Sequence, residues 1–297
     1  MSVAGRDATS ESVVVSPAAR GGREATSAPR PGGAIRLVAI DLDGTLLRTD
    51  KRLSVRCAEA IAEAARRGVR VVLASARPPR SVSEVHRRLG LDTVQVNYNG
   101  ALIHDLPRYR HIYHCPLPAR LALRIARLAR RVDPEVLISA EILDRWYTDR
   151  VDEALATETS KRQQPDHLGP IEGFLNVPVT KLMLLGPPHR LGAVHGAVRR
   201  RFGRKVGLLV SDRHLLQVVN RRVDKAGALA RVAHGYGTDR AQVMAIGDAP
   251  NDVGMLRWAG FGVAMQNGWA LAREAADCVV PSNDDDGVAH AIERYVL

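Results

Sequence analysis

The chain has 297 residues, of which 45% are hydrophobic and 4% aromatic, and its formal net charge is +11. This length can bury one large core or two modest ones, and we expect two lobes. No apolar run approaches the roughly 20 residues of a membrane helix, and residues 1–34 lack the apolar block of a secretory signal, so we expect a cytoplasmic protein. The three cysteines are widely spaced and predict neither a disulfide framework nor a zinc site.

The excess of positive charge could attract nucleic acid, an anionic membrane or a phosphorylated substrate. Basic residues are scattered along the whole chain, and the densest run, Arg199–Arg201 with Arg204 and Lys205, is typical of one solvated helix end. Few aromatic side chains are available to stack on bases. We therefore expect a small phosphorylated metabolite as the partner, and no nucleic acid or membrane.

The first half of the chain predicts an alternation of strands and helices. Residues 1–34 have no periodic apolar pattern and predict a disordered tail. Residues 35–40 are apolar and rich in β-branched side chains, which predicts a buried strand that leads into an acidic loop. The next elements are predicted as a helix over 54–67 capped by Ser54, a strand over 69–74, a helix that begins at Pro78 or Pro79, and a strand over 94–96. This order indicates a parallel sheet.

The alternation returns after residue 220. The predicted elements are a helix over 226–233, a strand over 243–246, a helix over 253–258, a strand over 261–265, and further elements over 270–276, 278–281 and 288–296. The intervening segment contains longer strands over 179–185, 207–210 and 215–219, and an irregular loop is expected over 154–174. We predict an α/β protein with a Rossmann-like parallel-sheet core formed by 35–116 and 220–297, and a second α/β domain inserted at 117–219.

Two acidic residues follow the first predicted strand. Asp41 and Asp43 alternate, so their carboxylates point the same way, and Gly44 permits a turn. Carboxylates forced together repel, which favours a divalent cation or a shared proton at this place. An Asp-x-Asp pair is common in proteins without such a role, but the longer string Asp41–Leu46 is far more specific.

Three further motifs lie where the fold would bring them to the same sheet edge. Ser75 follows the second strand just before a helix N-terminus, which suits anion binding or an ordinary helix cap. Lys225 opens a helix, where it could balance phosphate charge or remain a solvated lysine. Asp248, Asn251 and Asp252 follow a strand and precede a helix, which suits metal binding or an acidic helix cap.

In this order the motifs resemble those of the haloacid dehalogenase superfamily, particularly its Cof-type phosphatases with a large α/β cap inserted between the second and third motifs. The resemblance runs from about Ile35 to the end of the chain. Ser75-Ala76-Arg77 stands where the family usually has Thr-Gly-Arg, so the hydroxyl is kept and Ala76 departs from glycine. Further similar strings lie at 97–101, 264–267 and 283–288.

The resemblance implies roles for particular residues. Asp41 would be the nucleophile and Asp43 the general acid and base, with Ser75 and Lys225 as further catalytic residues. Substrate contacts are implied for Leu42, Ser75, Ala76, Lys225 and Asn251. Magnesium ligands are implied at Asp41, Asp43 through its main-chain carbonyl, Asp248 and Asp252, of which Asp252 would orient the others.

The expected function is hydrolysis of a small phosphorylated metabolite, such as a sugar phosphate, a nucleotide or a cofactor phosphate, with Mg²⁺ and through an aspartyl phosphate. One alternative is a phosphomutase of the same superfamily, which would pass the phosphoryl group to a sugar. A second is a protein that keeps the fold but binds nucleic acid without catalysis. The inserted cap would cover the site and select the leaving group.

Overall fold

The computed structural model describes residues 31–156 and 163–297. The predicted disordered tail therefore lies almost entirely outside the described residues. Among the described residues, no helix is both long and apolar enough to span a bilayer. All three cysteines are free.

The strands are β1 (Leu37–Ile40), β2 (Arg70–Ala74), β3 (Gln95–Asn97), β4 (Leu102–Asp105), β5 (Arg110–His114), β6 (Leu137–Ile142), β7 (Arg145–Thr148), β8 (His167–Leu168), β9 (Lys181–Leu185), β10 (Val206–Asp212), β11 (Leu215–Asn220), β12 (Val243–Gly247), β13 (Phe261–Met265) and β14 (Cys278–Val280). The helices are α1 (Val55–Arg66), α2 (Pro79–Arg88), α3 (Ala119–Val132), α4 (Ile171–Phe174), α5 (Pro188–Phe202), α6 (Lys225–Gly235), α7 (Val253–Trp258), α8 (Ala270–Ala275) and α9 (Gly287–Tyr295). Short 3-10 helices lie at Tyr98–Gly100, Glu153–Leu155 and Arg240–Gln242.

The core sheet has the order β14-β13-β12-β1-β2-β3-β4-β5. Neighbouring strands from β14 to β3 are parallel, as the alternation of strands and helices predicted. Strand β1 is central, and alternate residues belong to two different apolar clusters: Val38 packs with α1 and α9, and Leu37 packs with α6. Burial on both faces explains why β1 is a continuous apolar run.

The antiparallel strands β4 and β5 at one end of this sheet were not predicted from the sequence. They form a hairpin, and β5 is an exposed edge strand with polar residues such as Arg110 and His111. None of its five residues is buried, so β5 lacks the apolar pattern of a buried strand. The other predicted core elements are present; α1, for example, begins after Ser54, whose Oγ accepts a hydrogen bond from the Cys57 main-chain N–H at 3.1 Å.

A second sheet, of order β10-β11-β9-β6-β7-β8, forms the inserted α/β domain, hereafter the cap. Its own apolar cluster draws on α3, α5 and the buried faces of β6, β9 and β11. Where the chain crosses between the two sheets, Leu117 pairs with Val179 through two main-chain hydrogen bonds, and Asn220 donates to the Pro116 carbonyl at 2.8 Å. The α/β class with a parallel-sheet core and an inserted cap is thus confirmed.

The segment 154–174 was expected to be one irregular loop, and this prediction was wrong for part of it. Helix α4 and strand β8 lie in this segment, and residues 157–162 are outside the described part of the chain. Both elements are very short, and β8 pairs with β7 through only two residues. Elements of this length leave no periodic apolar pattern in a sequence.

Candidate active site

Three buried carboxylates meet at the carboxyl ends of β1 and β12. Asp41, Asp248 and Asp252 each offer an oxygen within 4.8 Å of the other two, and all three residues are buried. Strands β1 and β12 are neighbours in register, with Ile40 opposite Ile246, so both acidic loops leave the sheet at the same edge. Among the described residues, no other group of three His, Cys, Asp or Glu side chains has this geometry.

Lys225 is the cation that faces this group. Its ammonium donates to Asp41 Oδ1 at 2.5 Å and to Asp252 Oδ1 at 2.6 Å, and its side chain is fully buried. Asp224 caps α6 by accepting from the Gly227 main-chain N–H at 2.7 Å, which fixes the start of the helix and hence Lys225. Burial alone would lower the pKa of Lys225, but the charges of Asp252 and Asp41 raise it instead, so the ammonium stays charged.

The Asp248–Asp252 loop is held by its own carboxylate. The second oxygen of Asp252 accepts main-chain hydrogen bonds from Asp248 at 3.2 Å and Ala249 at 3.0 Å. Asp248 in turn accepts from the Thr45 hydroxyl at 2.8 Å, which ties this loop to the loop after β1. Gly44 packs directly on Asp248 in a left-handed conformation, with φ +81°.

The charges in this cluster do not balance. Burial, together with the charges of Asp252 and Asp248, raises the pKa of Asp41 well above its usual range, against the opposing effect of Lys225. Burial also raises the pKa of Asp248 to about 6, with a contribution from Asp252. Three carboxylates therefore share one fully buried ammonium, an arrangement that suits an additional cation.

Asp43 faces a different set of groups. Its carboxylate accepts from Arg77 Nε at 2.7 Å, from Arg77 Nη2 at 2.6 Å and from Lys51 Nζ at 2.8 Å. Burial would raise the pKa of Asp43, but the hydrogen bonds and charges of Arg77 and Lys51 outweigh it and lower the pKa. In this arrangement Asp43 is an ionised carboxylate. It is two residues from Asp41 in sequence, but its side chain lies outside the cluster of Asp41, Asp248 and Asp252.

The second motif lies at the next strand of the sheet. Ser75 follows β2 and is buried, and its hydroxyl accepts from the Arg77 main-chain N–H at 3.1 Å. Ala76 is half-buried on the same loop. The side chain of Leu42 is fully buried in the core cluster, so any substrate contact by Leu42 would have to use its main chain.

Asn251 donates through its side-chain amide to Asn99 Oδ1 at 3.0 Å. Asn99 follows β3, and its main-chain N–H donates to the Ser75 carbonyl at 3.0 Å. Asn99 therefore joins the loop after β2, which carries Ser75, to the loop after β12, which carries Asn251. On the other side, Asn267 donates to the Gly44 carbonyl at 2.8 Å and thereby supports the turn after β1.

Several of these residues had no role assigned from the sequence. Lys51, Thr45 and Asn99 contact Asp43, Asp248 and Asn251, respectively. Only the Lys51–Asp43 contact joins residues that are near in sequence. A role for Arg77 near the site was predictable from the sequence, because Arg77 is the third residue of the Ser75-Ala76-Arg77 string.

The sequence matches the family model of the haloacid dehalogenase-like hydrolases over residues 38–292. A Bacillus subtilis protein, 5-amino-6-(5-phospho-D-ribitylamino)uracil phosphatase YitU, is 29% identical over 269 residues, which cover 87% of this chain and 97% of that protein. Phosphatase YwpJ of the same organism is 29% identical over 288 residues, with coverage of 88% and 100%.

A solved haloacid dehalogenase-like hydrolase from Bacteroides thetaiotaomicron superposes with a TM-score of 0.81 at 29% identity, and the match covers 88% of this chain and 99% of that one. The family match spans both segments of the core sheet and the cap between them. The chain therefore belongs to the haloacid dehalogenase-like hydrolases, as a phosphoric monoester hydrolase of the Cof type with a large inserted cap.

Proposed function

We propose that this chain is a Mg²⁺-dependent phosphatase that transfers the phosphoryl group of a small metabolite to Asp41 and then to water. One observation carries the proposal: Asp41 is buried, within hydrogen-bonding distance of Lys225 and grouped with Asp248 and Asp252. A buried carboxylate in a cluster of net negative charge is costly to maintain, so a structural role alone explains it poorly.

The donor set fits magnesium. Mg²⁺ prefers hard oxygen ligands and usually takes only one or two carboxylates from the protein. The Asp41 and Asp248 carboxylates with the Asp43 main-chain carbonyl would hold the ion, while Asp252 is occupied by Lys225 and by two main-chain N–H groups. Bound Mg²⁺ supplies electrostatic stabilisation of negative charge on the phosphate oxygens.

Asp41 needs no base to become a nucleophile, because attack requires only the carboxylate form. Lys225 opposes the burial that raises the pKa of Asp41, and it orients the carboxylate through the 2.5 Å hydrogen bond. The phosphate oxygens would accept hydrogen bonds from the Ser75 hydroxyl, the Lys225 ammonium and the Asn251 amide. These hydrogen bonds would hold the phosphorus atom opposite Asp41.

Asp43 would protonate the leaving oxygen and then take a proton from the attacking water. The contacts of Arg77 and Lys51 favour its ionised form, which suits the second of these steps. For the first step, Asp43 must acquire a proton, and this requires that it turn away from the two cations toward the leaving group. We propose that substrate binding under the cap causes this change.

We propose the substrate class from what the relatives act on. YitU is named for a phosphorylated ribityl compound, and we propose a comparable small phosphate ester here. The positive charge of the chain would favour such an anion. We also propose a cytoplasmic location, which agrees with three free cysteines.

The test is release of inorganic phosphate from a panel of sugar, nucleotide and cofactor phosphates, with Mg²⁺ or with EDTA, by wild type and by Asp41→Asn. Release that needs Mg²⁺ and is lost in Asp41→Asn supports the proposal and ranks the substrates. Release that persists in either control contradicts it. Isomerisation of a sugar phosphate without release would favour the phosphomutase.

A further inference from the structure

We propose that Asn99 is a positioning residue that orients Asn251 for phosphate binding, and that Tyr98 couples this orientation to the cap through Glu141. This inference rests on the phosphatase proposed above. The three residues Tyr98, Asn99 and Gly100 form a turn after β3, hereafter the 98–100 turn.

The 98–100 turn is strained. Tyr98, Asn99 and Gly100 have φ values of +51°, +57° and +98°, so three successive residues are left-handed and two of them carry side chains. Asn tolerates this region, but a bulky residue such as Tyr does so only when its surroundings enforce it. Gly100 cannot be replaced without a clash, because an added Cβ would lie 2.3 Å from the Asp224 carbonyl oxygen.

On its core side, the turn touches three of the four motifs. Asn99 accepts from the Asn251 amide at 3.0 Å and donates through its main chain to the Ser75 carbonyl at 3.0 Å. Gly100 packs on Asp224, which caps the helix that begins with Lys225. A shift of the turn would therefore move groups that we assign to the phosphate.

On its cap side, the turn is held by a buried carboxylate. The Tyr98 hydroxyl donates to Glu141 Oε2 at 3.1 Å, and Tyr98 is only 1% exposed. Glu141 belongs to cap strand β6 and also accepts two hydrogen bonds from Arg80, at 2.7 and 2.9 Å. The Arg80 main-chain N–H donates to Asp144 Oδ1 at 3.0 Å, at the start of α2.

These contacts make the geometry of the phosphate site depend on the cap. The side-chain oxygen of Asn99 accepts one N–H of the Asn251 amide. The second N–H of this amide then remains for a phosphate oxygen. The Asn99 side-chain oxygen stays in place only while Tyr98 maintains the strained turn. Two cap groups hold the Tyr98 hydroxyl: Glu141 Oε2 at 3.1 Å and the Leu143 carbonyl at 3.4 Å. Cap residues would thus influence phosphate binding without touching the phosphate.

The first experiment measures the affinity of wild type and variants for inorganic phosphate by calorimetry with Mg²⁺ present. Asn99→Gly keeps the left-handed backbone but removes the acceptor, and we expect about tenfold weaker binding from the loss of one hydrogen bond. Tyr98→Phe should weaken binding by a smaller factor. Tyr236→Phe is the matched control, because its hydroxyl accepts from the Val94 main-chain N–H at 3.0 Å, away from the site.

The double variant Tyr98→Phe with Asn99→Gly tests the coupling. If Tyr98 acts through Asn99, the double variant binds phosphate no more weakly than Asn99→Gly alone. Fully additive losses would overturn the coupling. Wild-type affinity in Asn99→Gly would overturn the positioning role, since the residue would then serve only the backbone.

A structural readout separates this inference from the proposed function. The NMR signals of the Asn251 side-chain amide, identified by their loss in Asn251→Asp, should shift in Asn99→Gly and in Tyr98→Phe but not in Tyr236→Phe. Shifts in a protein without phosphatase activity would contradict the proposed function and keep the positioning. Unchanged signals in both variants would overturn the positioning even in an active enzyme.

Discussion

The Lys225 ammonium lies 2.5 Å from Asp41 Oδ1, and neither side chain is more than 7% exposed. A buried pair of this kind is costly to break, because removal of one partner leaves the other charged and without water. Here the carboxylate is the group that attacks phosphorus in our proposal. The same contact therefore contributes to both stability and reactivity.

Lys225→Met tests this contact. In EDTA we expect the free energy of unfolding to fall by about 3 to 5 kcal/mol, because the three carboxylates lose their buried cation. Mg²⁺ should restore more stability to this variant than it adds to wild type, since Lys225 no longer competes for Asp41. Urea denaturation measures both values, and Lys205→Met, at an exposed cap residue, is the control. Equal effects of the two substitutions would contradict the contact's role.

Gly44→Ala tests the close approach of the two acidic loops. An added Cβ at Gly44 would lie 2.5 Å from Asp248 Oδ2, with φ +81°. Gly68→Ala is a matched control, because Gly68 has φ +83° and no atom near the added Cβ. We expect the control to cost about 1 to 2 kcal/mol with activity unchanged, and Gly44→Ala to cost more and to weaken Mg²⁺ activation. If both variants have the same Mg²⁺ dependence, the contact with Asp248 is unimportant.

Metal-free stability should depend on pH through Asp248. Burial raises the pKa of Asp248 to about 6, above its ordinary value of 3.8. Between these values the folded protein retains a proton that the unfolded chain has released, so the free energy of unfolding falls as pH rises, by on the order of 3 kcal/mol. Urea denaturation in EDTA from about pH 4 to about pH 7 measures this slope. Asp248→Asn should reduce the slope without abolishing it, because burial raises the pKa of Asp41 as well, and an unchanged slope would mean that Asp248 does not contribute.

Asp43→Asn should slow the reaction with little effect on stability. The substitution keeps the shape of the side chain but removes the proton carrier, so kcat should fall by about a hundredfold to ten-thousandfold. Because Asp43 is 41% exposed, stability should change little. Steady-state rates and thermal unfolding measure the two effects, with Asp50→Asn, farther along the same loop, as the control. A kcat near that of wild type would assign proton transfer to another group.

The sequence predicted the parts of the molecule that depend on local patterns. The strand before Asp41 was predictable because it is buried on both faces and is therefore continuously apolar. The grouping of Asp41 with Asp248 followed from the parallel sheet, since neighbouring strands end at one edge. The hairpin of β4 and β5 was not predictable in this way, because its outer strand is mostly exposed.

The contacts of individual side chains were harder to predict. Asn99 and Asn251 are 152 positions apart, and nothing in either local pattern indicates that they touch. Tyr98 has a left-handed conformation and a hydrogen bond to Glu141, 43 positions away in the cap, and the sequence of the turn alone reveals neither. The carboxylate of Asp43 was expected beside Asp41, but it contacts Lys51, farther along the same loop, and Arg77, on the loop after β2.

The most direct test of the account is to trap the phosphorylated enzyme. Wild type is mixed with Mg²⁺ and an active substrate, quenched in acid and treated with borohydride, which reduces an acyl phosphate to an alcohol. Peptide mass spectrometry should then find homoserine at position 41, and no such change in Asp41→Asn or with EDTA. Phosphate release at the normal rate with unmodified Asp41, or with the modification at another residue, would contradict the account.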